Sequence, residues 1–177
     1  IPAETILKEA AFGSWRVGDP GLQYASKIQE MHTSKNSGDI NASNPCTEYM
    51  FLDDTSCNLL SHNLGRYADA KGNFDVAGFI RGVYISSIAS DIFNDEASYP
   101  IESIATTSPE FRTIGVGYAN LGGLLMRKGI AYDSEKGRAL AAAITALMTG
   151  TVYEASADMA EKLGAFVHFE FNKKPMI

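Results

Sequence analysis

The residues best suited to chemistry sit together in Ser43-Asn44-Pro45-Cys46-Thr47-Glu48-Tyr49, where an amide, a thiol and a carboxylate alternate with other residues. In extended backbone, side chains at i, i+2 and i+4 point the same way, so Asn44, Cys46 and Glu48 are expected on one face. Such a row can orient a polar substrate, present a thiol to it and take a proton from it. Pro45 removes a ladder donor, which places the row on an exposed loop rather than in a central strand. The apolar Tyr49-Met50-Phe51-Leu52 is expected to exclude water on one side and so to tune the Glu48 carboxyl upward. The competing reading makes Cys46 a small buried hydrophobe, as most free cysteines are.

A second thiol, Cys57, follows eleven positions on. Asp53-Asp54-Thr55 can turn the chain and bring Cys57 back beside Cys46. Two thiols in one pocket suit redox chemistry or a metal. Zinc, with His32 and His62 as further ligands, is the competitor, but the spacing matches no usual finger or ribbon and no metal is expected.

The elements that must hold these groups divide the chain. Glu4 to Phe12 reads as a short helix ending near Gly13, Gly18-Asp19-Pro20-Gly21 as a turn, and Leu22 to Met31 as a second short helix. Ser34 to Ser43 is polar and loop-like; extended segments are expected at Glu48–Phe51 and Asn58–Leu64. After Asp69-Ala70-Lys71-Gly72-Asn73 the pattern turns helical. Asp75 to Phe93 places Val76, Phe79, Ile80, Val83, Ile88 and Ile92 on a buried stripe. Glu102–Ser108 reads as a short helix and Arg112–Val116 as an extended lead into a helix Tyr118–Arg127 closed by Gly129. The longest helix runs from Ser134 to Leu163, capped by Asp133, ended by Gly164 and divisible at Gly150.

Met126, Met148 and Met159 fall on helical stripes and are expected in the core. The Gly115–Gly123 run reads as a close-packed strand-to-helix turn rather than a dinucleotide site, and His168 as a hydrogen-bonded structural residue. The whole is expected to be one partial catalytic domain over 1–177. Its loop-rich part, 1–67, carries the thiols, and 68–177 is mainly helical. Helix should exceed strand in a mixed α/β architecture.

With 177 residues, 45% apolar and 20% charged, the chain can bury a core and is not compositionally disordered. A net charge of -6 argues against a surface that coats nucleic acid. Its longest uncharged apolar run, Ala139–Met148, is too short for a bilayer, and no secretory leader pattern or disulfide framework is visible. No membrane partner and a cytoplasmic location are therefore expected. The start at Ile1 and the apolar last two residues suggest an internal piece of a longer protein.

The sequence resembles a large-chain segment of the ribonucleotide reductases, most closely the class II, adenosylcobalamin-dependent type. The resemblance rests on Gly18–Tyr24, Ile40–Thr55, Cys57-Asn58-Leu59, Ser61, Asn63-Leu64, Ala97–Pro100, Phe111-Arg112, Gly115–Gly122, Gly164-Ala165-Phe166 and Asn172–Met176. It covers nearly the whole chain, and the Asn-Pro-Cys and Asp-Asp-Thr-x-Cys-Asn-Leu blocks are specific to the family. It implies an incomplete piece of a ten-stranded α/β barrel, helix-rich with few strands, in which Cys46 at the tip of a finger loop becomes a thiyl radical. By the same resemblance Cys46 takes hydrogen from C3′ of a ribonucleotide, and Glu48 is the base on the 3′-hydroxyl. Asn44, with Ser43 beside it, binds the ribose, and Cys57 is one of two thiols that reduce the 2′ position. Adenosylcobalamin, a ribonucleotide substrate and a thioredoxin-like reductant are implied, with a homodimer possible for the full enzyme.

The departures set further expectations. The partner thiol of Cys57 is absent, since the chain has two cysteines, and Ser34 stands where relatives often carry a Cys. Ala25-Ser26-Lys27-Ile28-Gln29 replaces the usual Asp-Thr-Ile-Asn pattern. The effector loops, the phosphate loop and the C-terminal thiol pair belong to the remaining N- and C-terminal parts, so this polypeptide alone should be inactive. Two alternatives stand beside this reading. One is a non-catalytic module that complements a split reductase. The other is a class I-type segment fed by a separate radical-bearing subunit, against which Pro45 and the short Cys46–Cys57 interval speak.

Overall fold

The computed structural model describes all 177 residues. Seven α-helices, two strands and a 3-10 turn follow in the order α1 (Ala3–Val17), α2 (Ala25–Met31), β1 (Asn58–Asn63), the 3-10 turn (Leu64–Tyr67), α3 (Val76–Glu96), α4 (Glu102–Phe111), β2 (Ile114–Ala119), α5 (Leu121–Arg127), α6 (Glu135–Leu163) and α7 (Phe169–Met176). β1 and β2 pair in parallel, with Asn58 opposite Ile114 and Asn63 opposite Ala119. Parallel neighbours need a crossover, and α3 and α4 supply it.

The core lies where α3 and α6 cover this two-stranded sheet. Leu64, Phe79, Val83, Leu124, Ile144 and Met148 form its buried centre, with Tyr67, Phe74, Val116 and Tyr118 packed around them. A second, aromatic cluster sits under the thiol-bearing loop. Phe51 meets Phe111 edge-on at 5.3 Å, and His168 stacks on Phe111 at 4.6 Å. His168 also bonds Glu110 at 2.8 Å, so the structural role expected of it holds. The helix α7, which the sequence pattern did not suggest, is tied in by the buried Asn172. Its amide donates to Ser37 Oγ at 2.7 Å and accepts from the Asn36 N–H at 3.0 Å.

Several expectations are corrected. The first helix passes through Gly13 and stops at Gly18, whose φ of 80° is a left-handed cap. Ser134, not Asp133, caps α6, accepting from the Gly137 N–H at 3.0 Å, while Asp133 pairs with Arg138. α6 runs unbroken through Gly150. Met148 is buried as expected, but Met126 is 80% exposed. The buried face of α3 is Phe79, Val83, Ser87, Ser90 and Asn94, whereas Val76 and Ile92 are exposed. The Gly-rich run is a strand-to-helix junction, as expected. Asn120 takes φ 67° between β2 and α5, and a Cβ on Gly123 would collide with its side chain.

By length and composition α3 is apolar enough to cross a bilayer. It nevertheless carries Asp91 and Asp95, both bound to Arg112. The accessible surface is 11787 Å², against about 8,400 Å² for a compact monomer of this mass. Large apolar side chains are among the exposed ones: Ile6, Leu7, Phe12, Trp15 and Val17 of α1 and Ile85, Ile92 and Phe93 of α3, and α1 buries no residue. Emptying the core should therefore separate sharply from trimming this surface. Phe79→Ala is expected to cost about 3–5 kcal/mol, and Trp15→Ala within about 0.5 kcal/mol, read as shifts of the urea midpoint. Equal shifts would contradict the placement of the core.

Candidate active site

The thiol-bearing loop is a tight hairpin. Ser43 and Met50 form an antiparallel bridge, and between them the Thr47 N–H donates to Asn44 O at 3.0 Å, closing a turn over Asn44-Pro45-Cys46-Thr47. Pro45 presets φ at the second position of that turn, and Thr47 follows at φ 67°. The extended row expected from the sequence is therefore not formed, and Glu48–Phe51 is not a strand. The Asn-Pro dipeptide is itself a turn-initiating signal and could have marked this. Cys46 stands third in the turn, exposed at its tip, so the reading of a buried hydrophobe is also excluded.

Asn44 staples the hairpin. Its side-chain Oδ1 accepts from the Tyr49 N–H at 3.0 Å, and its own N–H donates to Tyr49 O at 3.4 Å. The Asn44 amide nitrogen is left over for a ligand. Ser43 is more fully committed, accepting from Gln23 Nε2 at 2.7 Å and donating to Asn44 O at 2.8 Å. Glu48 is exposed, so the apolar run does not withdraw it from water as expected.

Asp53 and Asp54 do turn the chain, with Asp54 at φ 55°, and on the return leg Cys57 lies within the electrostatic reach of Glu48. Cys57 sits immediately before β1 and is half-buried. β2 passes so close that a Cβ on Gly115 would lie 3.0 Å from its Sγ. Burial first, and then the Glu48 carboxylate, push the Cys57 thiol up to about 11. At neutral pH it is a protonated thiol able to give hydrogen. Both cysteines are free.

The supports of Cys57 are residues to which the sequence reading gave no role. The Ser56 N–H donates to the buried Ser108 Oγ at 2.9 Å, and Ser56 O accepts from the Thr113 hydroxyl. Asn58 Nδ2 donates to Asn94 Oδ1 at 3.2 Å and to Ser90 O at 3.3 Å. Arg112, at φ 54°, grips Asp91 through Nε at 2.9 Å and Asp95 through Nη1 at 2.6 Å, which fixes the chain just before β2. These hydrogen bonds hold the Asp95 carboxyl below the usual range. The signal was the Phe111-Arg112 pair, recognised but given no role.

The candidate zinc ligands are engaged elsewhere. His32 lies between Gly38 O and the Ser34 N–H, and His62 between the Tyr67 and Ser86 hydroxyls. No three His, Cys, Asp or Glu side chains converge on a metal position. Hollows of about 340 and 480 Å³ flank the loop, the first beside Ile28, His32 and Met50 and the second beside Asn41, Asp53 and His168. Neither is lined by Asn44, Cys46, Glu48 or Cys57.

The loop thus carries an exposed thiol on a closed turn, with a carboxylate in electrostatic reach of a second, protonated thiol. Residues 1–176 match the family described as the ribonucleotide reductase barrel domain, and the chain belongs to that family. It is 45% identical over 175 residues to the vitamin B12-dependent ribonucleotide reductase of Rhodopirellula baltica, covering 99% of this chain and 17% of that protein. The protein of the same name from Agrobacterium fabrum is 45% identical over 178 residues, 100% of this chain and 14% of that one. The vitamin B12-dependent ribonucleoside-diphosphate reductase of Mycobacterium tuberculosis is 33% identical over 170 residues, 96% of this chain and 24% of that one. The chain thus spans less than a quarter of these relatives' length.

The Glu48–Cys57 relation has a direct readout. Alkylation of Cys57 should rise with pH to a midpoint near 11. Glu48→Gln should lower that midpoint, because removing a negative charge favours the thiolate. A midpoint unmoved by the substitution would contradict the placement of Glu48.

Proposed function

We propose that this chain is a central catalytic segment of an adenosylcobalamin-dependent ribonucleotide reductase, converting ribonucleotides to deoxyribonucleotides by a thiyl-radical mechanism. One observation carries the proposal: Cys46 is presented at the tip of a stapled turn, and the charge of the next carboxylate, Glu48, helps to keep the Cys57 thiol protonated.

In this reading Cys46, as a thiyl, takes the hydrogen atom from C3′ while Glu48 accepts the 3′-hydroxyl proton. The free amide nitrogen of Asn44, on the Ser43 side of the turn, orients the ribose. The 2′-hydroxyl leaves as water with a thiol proton, and the C3′ hydrogen returns from Cys46. Cys57 and a second thiol contributed by another part of the reductase supply the two hydrogens and two electrons and end as a disulfide. The balance is ribonucleotide plus two thiols to deoxyribonucleotide, water and disulfide; a thioredoxin-like partner restores the thiols. An exposed Cys46 fits a radical-generating cofactor, since its thiol is open to approach. Bound adenosylcobalamin supplies the radical that no side chain here can start.

The parallel β1–β2 pair is read as two strands of a ten-stranded α/β barrel, all of 1–177 forming one partial domain. Within it 1–67 carries the finger loop and thiols, and 68–177 is mainly helical. The uncovered apolar faces of α1 and α3 support this, because the remaining N- and C-terminal parts of the barrel would bury them. The assembled enzyme is placed in the cytoplasm, as a possible homodimer.

Residues 1–177 should replace the matching stretch of a B12-dependent relative with turnover retained. In that chimera Cys46→Ser should reduce turnover to background, and Glu48→Gln should slow it by about 10²–10⁴-fold, the range of acid–base contributions. Undiminished turnover in Cys46→Ser would overturn the proposal.

A further inference from the structure

Tyr49 belongs to both halves of the site. Its backbone closes the Cys46 turn against Asn44, as described above. Its half-buried side chain crosses to the other leg, where the hydroxyl lies 2.9 Å from Thr55 Oγ1, 2.9 Å from Thr113 Oγ1 and 3.3 Å from Ser56 O. Ser56 immediately precedes Cys57, and Thr113 immediately precedes β2.

We infer that Tyr49 is a positioning residue whose hydroxyl fixes the Cys46–Glu48 leg against Cys57, so that the two thiols address one substrate in a set geometry. The inference rests on the reductase reading for its purpose, but its geometry stands apart from it.

Proton counting shows why the hydroxyl is a tether rather than a packing group. Thr55 spends its proton on Leu52 O at 2.5 Å, and Thr113 spends its own on Ser56 O. The single Tyr49 proton is therefore shared among the two threonine oxygens and, at longer range, Ser56 O. Removing it leaves both threonines satisfied as donors, so Tyr49→Phe deletes the link without orphaning a buried donor. The ring keeps its neighbour Phe51, 5.9 Å away. Burial raises the phenol above its ordinary value, so it stays a neutral donor through the working pH range. The ionisable group whose charge acts on Cys57 is Glu48, and Cys57 in turn acts on the Tyr49 phenol.

The test uses the chimeric reductase with residues 1–177 in place, and follows alkylation of the Cys57 peptide by mass spectrometry across pH. In Tyr49→Phe the freed leg lets Glu48 and its neighbours move off Cys57. The midpoint should fall by less than about one pH unit, giving severalfold more thiolate below it. Thr113→Val should reproduce the fall and Thr113→Ser should not. Turnover in Tyr49→Phe should show kcat lowered about tenfold with KM unchanged. An unmoved Cys57 profile in both Tyr49→Phe and Thr113→Val overturns the inference. A shifted profile in a chimera whose unsubstituted form lacks turnover upholds the positioning role and sinks the reductase reading instead.

Discussion

The parallel pairing of β1 with β2 is the constraint on which the rest depends. Its register sets Asn58 opposite Ile114, so the residues just before each strand, Cys57 and Thr113, arrive side by side. The Thr113 hydroxyl reaches Ser56 O only because that register holds. From there the Tyr49 phenol carries the constraint to the Cys46 turn. Two strands of six residues with two outer edges cannot be stable alone, and the covering α3 and α6 make the pair durable. Core packing and site geometry are thus one arrangement: Val83 and Phe79 bury against the sheet whose start seats the second thiol.

Polar residues do much of the positioning, which separates what the sequence made legible from what it did not. The ends of α6 were readable within one residue, because Gly164 after the helix is a local signal and the expected cap, Asp133, adjoins the residue that caps it, Ser134. The face of α3 was not. A hydrophobic stripe continues through Ile88 and Ile92, but the helix turns Ser87, Ser90 and Asn94 inward, where Asn58 bonds Ser90 O and Asn94 Oδ1. Apolar periodicity cannot see a face buried by hydrogen bonding. The helix α7 was missed for the same reason, since its buried residue is Asn172.

At the site, residue types were more informative than backbone geometry. Asn44, Cys46, Glu48 and Cys57 were singled out from type and family resemblance; the Asp53-Asp54 turn, expected to return Cys57 toward Cys46, is formed, and it leaves Cys57 within the electrostatic reach of Glu48. The one-face row failed because alternation assumes extended backbone, and Pro45 starts a turn instead. Tyr49, read only as part of an apolar run, proved to be the link between legs. Its role depends on Thr113, sixty-four residues away, a pairing no local pattern encodes. The exposed apolar faces of α1 and α3 follow the same logic at larger scale, because what covers them is set by tertiary assembly.

The most direct test of the account is electron paramagnetic resonance of the chimeric reductase, freeze-quenched after addition of adenosylcobalamin and ribonucleotide, with cysteine deuterated at its β carbon. The account predicts a substrate-dependent radical signal whose line shape changes on deuteration, which disappears in Cys46→Ser and survives in Cys57→Ser. An unchanged signal in Cys46→Ser would contradict it.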